Sequence, residues 1–152
     1  MYMLDVNVLL ALAYEQQVCH TRVAHWIEHV NAQEPEGSRF ATCSIVELGF
    51  IRVAGGKSKL AENLTVARAD LRRVKSALRP RLLGDELDGN RLPEWVMKSA
   101  QTTDGHLLEL ATYHKVQFAT LDTGIPGAFL IPHDRDTHDE VREPDLPYGK
   151  AA

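Results

Sequence analysis

The stretch MYMLDVNVLLAL, Met1 to Leu12, sets a carboxylate, Asp5, and an amide, Asn7, inside a run that is otherwise apolar. Tyr2–Leu4 reads as a short buried strand, and NVLLALAYE switches to helical periodicity, so Asp5 marks a strand-to-helix junction. A strand that enters the core and turns at once into a helix belongs to an α/β domain, and the rest of the chain repeats that pattern.

A second helix spans about His20 to Ala32, with Val23, Trp26, Ile27 and Val30 on one face, and EPEG closes it. RFATC follows as a strand, then SIVELGFIRVAGG as a helix ending at Gly55 and Gly56. The longest helix runs from about Leu60 to Leu78, with Leu64, Ala67, Leu71, Val74 and Leu78 facing inward, until Pro80 stops it. RLLGDELDG is a short strand with an acidic end, and PEWVMKSA has a helix start at Pro93. TTDGHLLELATYHK is a helix, VQFATLD a strand and AFLI a last strand. The alternation predicts a largely parallel sheet covered on both faces.

The 152 residues suffice for one domain, and 44% hydrophobic content fills its core without staples. Cys19 and Cys43 are too few and too scattered for a disulfide framework, and Asp5 interrupts the only apolar run at the N-terminus, so a reducing, cytoplasmic setting is expected. From Pro132 onward the chain carries six acids and three prolines; residues 133–152 read as a loosely held polar tail, leaving 1–132 as the domain. Net charge is −4, but its distribution is lopsided: Arg52–Arg81 carries nine basic residues against Glu62 and Asp70, which leaves −11 on the remainder.

Asp5, Glu47, Asp85, Asp104 and Asp122 all fall at strand ends or helix starts. Each alone has an ordinary explanation. Asp5 caps a helix, SIVE fits a capping box of Ser44 with Glu47, Asp104 complements a helix dipole and Asp122 suits a turn. Together they mean more, because strands of a parallel sheet end at one edge and acids placed there converge on one crevice. Clustered carboxylates repel each other, and a bound cation removes that cost. Oxygen-only ligands select Mg²⁺ or Mn²⁺, which points to phosphodiester hydrolysis.

In this order and spacing the motifs are familiar. LDVNVLLAL, HTRVAHWIEH, TCSIVELGFIRV and TTDGHLLELATYHKVQFATLD together resemble a PIN-domain ribonuclease, most closely a VapC-type toxin of a type II toxin-antitoxin pair. The resemblance covers nearly the whole chain up to about Pro132. It implies a three-layer α/β/α sandwich and a metal-dependent endoribonuclease, with Asp5, Glu47, Asp104 and Asp122 catalytic. Asp5, Asp104 and Asp122 would be the metal ligands, and Asn7 and Ser44 would orient them. It further implies a cognate antitoxin protein and a homodimer.

Arg68, Arg72, Lys75 and Arg79 recur at i, i+4, i+7 and i+11, a single basic stripe suited to RNA phosphates. His25 and His29 share the i, i+4 spacing of a transition-metal pair but lack a third ligand, and Trp26 and Trp95 read as core. The rivals to a nuclease are a PIN-fold interaction module and an aspartyl-phosphate phosphotransferase. The acidic set argues against the first, and Asn7, standing where a phosphotransferase wants a second acid, against the other. An antitoxin reading frame upstream would separate a toxin from a solitary housekeeping nuclease.

Overall fold

The computed structural model describes residues 1–133; the rest of the expected polar tail, residues 134–152, lies outside the described residues. The elements in chain order are β1 (Tyr2–Leu4), α1 (Val6–Ala13), α2 (His20–Gln33), β2 (Phe40–Cys43), α3 (Ser44–Ala54) and α4 (Leu64–Leu78). They continue with β3 (Arg81–Leu83), a 3-10 turn at Ser99–Gln101, α5 (Thr102–Tyr113), β4 (Gln117–Thr120) and β5 (Phe129–Leu130). All four strand pairs are parallel and the sheet order is β3-β2-β1-β4-β5. Helices flank the sheet in an α/β/α sandwich, as the alternation and the resemblance require.

The chain starts at the centre, builds outward through β2 and β3, and then returns to place β4 on the other flank of β1. The strand order therefore reverses between β1 and β4, and the carboxyl ends of those two strands frame the crevice where doubly wound sheets bind ligands. Met3 pairs with Ala41 on one side and with Phe118 on the other, so the central strand is fixed in register by both neighbours.

Strand residues Met3, Leu4, Phe40, Ala41, Phe118 and Ala119 are fully buried, because a parallel sheet covered on both faces leaves no polar side. Trp26 on α2 packs edge-on to Tyr2 and Phe40, which confirms it as core; Trp95 is half-buried against the same core. Gly49 lets α3 cross close over the start of α1: a Cβ there would stand 2.8 Å from Val6 Cγ2. Tyr14, which ends α1, donates its hydroxyl to buried Asp70 of α4 at 2.8 Å, and Arg73 closes on the same carboxylate at 3.0 Å. Burial and the adjacent carboxylate push the Tyr14 hydroxyl well above its usual range, so it stays a donor.

Two expected elements differ. The helix expected from Leu60 begins at Leu64, because the Asn63 side chain accepts from the Val66 N–H at 2.9 Å and caps it there. Leu64 is consequently exposed rather than inward-facing. No helix starts at Pro93 either. Pro93–Val96 closes a single turn, and the Gln101 side chain accepts from Met97 N and Lys98 N, so only the short 3-10 turn precedes α5. A segment of eight residues gains too few helical bonds to outweigh those local partners.

Candidate active site

Asp5 follows the last residue of β1 and caps α1, its Oδ1 accepting from the Val6 N–H at 2.7 Å. Its Oδ2 accepts from the Thr120 hydroxyl at 2.7 Å. Thr120 ends β4 and uses its whole bonding capacity here: it donates to Asp5 and accepts from Asn7 Nδ2 (3.2 Å) and from the Asp122 N–H (3.0 Å). The Asn7 carbonyl takes the Leu121 N–H at 3.2 Å, so Asn7 clamps the β4 end to the first turn of α1. Asp122 lies just beyond, exposed, and its Oδ1 accepts from the Gly124 N–H at 2.7 Å in the expected turn. Asp104 projects from the first turn of α5 and is partly buried.

Three elements thus bring Asp5, Asp104 and Asp122 into electrostatic contact at the strand-order reversal. Burial pushes the Asp5 carboxyl above the usual carboxylate range against the two hydrogen bonds that favour its charge, and the charges of Asp104 and Asp122 push it the same way. Asp104 is raised by burial and then by Asp122. Burial and neighbouring negative charge thus disfavour ionisation of Asp5 and of Asp104, a cost that a bound cation would offset. Among the described residues no group of three or more His, Cys, Asp or Glu side chains stands in metal-holding geometry. The donor chemistry fits a hard divalent ion that keeps several waters and needs only one or two protein carboxylates at a time, rather than a closed protein cage.

Glu47 stands apart. On the first turn of α3, its Oε1 accepts from the Thr42 hydroxyl at 2.6 Å and pairs with Lys75 Nζ at 2.8 Å, while Oε2 lies 3.0 Å from the same ammonium. The SIVE capping box is therefore absent: Cys43 is the N-cap and no side chain caps α3. The Lys75 cation makes a stronger, charge-assisted partner for the carboxylate than the neutral backbone N–H would be. Ser44 is exposed at the helix start. Of the basic stripe, Arg68 and Arg72 face solvent on α4, Lys75 turns to Glu47, and Arg79 is exposed beyond the helix end in a left-handed conformation, φ 50°. Asp85, one of the five acids at strand ends or helix starts, pairs with His106 of α5.

Thr120 is the site residue that sequence reasoning missed. A threonine in a strand reads as packing, and the available signal was its position two residues before an acid at a strand end.

No protein-family model matches the chain. Among curated proteins it is 36% identical over 131 residues to Ribonuclease VapC38 of Mycobacterium tuberculosis, covering 82% of this chain and 87% of that protein. It is 34% identical over 141 residues to Ribonuclease VapC44 of the same species, covering 83% and 92%. For Ribonuclease VapC29, also from Mycobacterium tuberculosis, identity is 32% over 138 residues, covering 86% and 96%.

Proposed function

The chain belongs to the VapC-type PIN-domain ribonucleases, and from that premise we propose that it cleaves RNA internally at the Asp5–Asp104–Asp122 cluster with the help of Mg²⁺ or Mn²⁺. It acts as the toxin of a toxin-antitoxin pair, on RNA in the cytoplasm, under the control of a cognate antitoxin protein and as a homodimer. No helix among the described residues is long and apolar enough to cross a membrane.

The observation that carries the reading is the gathering of three carboxylates at the strand-order reversal, Asp5 after β1, Asp122 after β4 and Asp104 on the first turn of α5, close enough for the charges of Asp104 and Asp122 to bear on Asp5. Asp5, Asp104 and Asp122 would hold the ion, directly or through water. When bound, it supplies a Lewis acid that polarises the phosphate and makes water a better nucleophile at neutral pH. Asp5 is fixed for this task, since Thr120 and the Val6 N–H immobilise both of its oxygens. The same engagement suits a ligand better than the free nucleophile a phosphotransferase requires. Glu47, whose charge Lys75 balances and whose Oε1 accepts from the Thr42 hydroxyl, ties the start of α3 to α4. Arg68 and Arg72 offer cations to the RNA backbone.

Attack by water leaves 5′-phosphate and 3′-hydroxyl ends. Mapping the termini of the fragments tests this: 5′-phosphates are expected, whereas a 2′,3′-cyclic phosphate, which requires attack by the ribose hydroxyl, would sink the mechanism.

A further inference from the structure

A cleft of about 320 Å³ opens between the first turns of α3 and α5. Ile45, Gly89, Leu92, Thr102, Thr103 and His106 line it. Thr103 directly precedes Asp104 on the first turn of α5, so one wall of the cleft is built from the same helical turn that carries a site carboxylate. We propose that this cleft is a nucleobase subsite, seating one base of the RNA beside the phosphate to be cut. The proposal rests on the nuclease reading and gives that site a way to choose where it cuts.

The lining carries the inference. No lysine or arginine contributes, so the cleft is not built for phosphate or another anion. Ile45 and Leu92 supply apolar surface for the face of a ring, while two threonines and an imidazole supply polar atoms for its edge, the combination that small-ligand and base pockets share. Nε2 of His106 lies 2.9 and 3.1 Å from the two carboxylate oxygens of Asp85, so the carboxylate anchors the ring and Nδ1 is the nitrogen that would meet a base edge. Thr102 is held in place as its hydroxyl donates to the Ser99 carbonyl at 2.8 Å. Asp85 in this account is a positioning residue that acts through His106.

Gly89 offers a clean perturbation. A Cβ built there meets nothing within 4 Å and its backbone is not in the left-handed region, so the backbone accepts a side chain at this lining position, and Gly89→Trp is the variant chosen to obstruct the cleft. Leu92→Ala enlarges it instead. In the first arm, total RNA is cut by wild type, Gly89→Trp, Leu92→Ala and Asp5→Ala with Mg²⁺, and the fragment ends are sequenced. The expected result is one base enriched at a fixed position next to the wild-type cuts, with that enrichment falling about tenfold in both cleft variants. Asp5→Ala abolishes cutting altogether. Enrichment unchanged in both cleft variants overturns the subsite and leaves the nuclease intact.

The second arm needs no catalysis. Isotope-labelled protein in chelator is titrated with each of the four ribonucleoside 5′-monophosphates and with ribose 5-phosphate, and backbone amide shifts are followed. At least one monophosphate should move the amides of Ile45, Gly89, Leu92, Thr102 and Thr103, with ribose 5-phosphate inert. Equal shifts from ribose 5-phosphate, or no shift of these amides with any of the four monophosphates, would overturn the proposal. If wild type cuts nothing while a monophosphate binds there, the nuclease reading falls and the base subsite stands.

Discussion

Thr120 shows how one buried hydroxyl organises the site. Its single donor goes to Asp5 and its two acceptor positions to Asn7 and Asp122, so Thr120→Val keeps the shape and removes three bonds at once. The variant should lose about 1–3 kcal/mol of stability, read by urea unfolding. Its cleavage rate should fall about 10–100-fold, because Asp5 then loses the partner that orients it. The raised Asp104 carboxyl yields a second expectation. A carboxyl raised in the folded state favours folding while it is protonated, and that contribution is lost as pH rises above the ordinary aspartate value of 3.8 and through the folded value. In chelator, Asp104→Asn should therefore melt at a higher temperature than wild type at neutral pH, the gap closing towards acid pH. Added Mg²⁺ should raise the wild-type melting temperature more than that of the variant. Asp5, Asp104 and Asp122 were legible because acids at strand ends and helix starts are conspicuous, whereas Thr120 was not, because its hydroxyl acts only across a strand pairing that the sequence does not display.

Helix α4 carries the division of labour among the basic residues. Arg68 and Arg72 are exposed, while Lys75, on the same stripe by spacing, turns to the Glu47 carboxylate. Arg68→Ala and Arg72→Ala should each weaken RNA binding for all sequences alike and reduce the salt slope of log affinity by about one. Lys75→Ala should leave that slope unchanged and instead leave Glu47 without its cation, lowering stability and cleavage together. Filter binding over a salt series separates the two behaviours. The spacing revealed the stripe but not this partition, since Glu47 stands 28 residues away in the chain. The helix start was misplaced for a related reason: leucine periodicity extends back to Leu60, and only the bond from Asn63 to the Val66 N–H decides where the first turn forms.

At the scale of the molecule, the sequence reveals alternating strands and helices, and right-handed parallel connections leave few ways to arrange them. What the sequence does not display is that β4 returns to the flank of β1, and that return is what brings Asp122 and Thr120 against Asp5. The carboxylate crevice is thus a property of strand order more than of any motif, and the proposed function stands or falls on whether the acids gathered there need a metal to cut RNA. The direct measurement is incubation of total cellular RNA with the purified, antitoxin-free protein, with Mg²⁺ or Mn²⁺, with chelator, and with Asp5→Ala beside wild type. Discrete fragments that require both the ion and Asp5 are the predicted result. Cleavage that persists in chelator or in a folded Asp5→Ala protein would contradict it, as would no cleavage at all by the folded wild type.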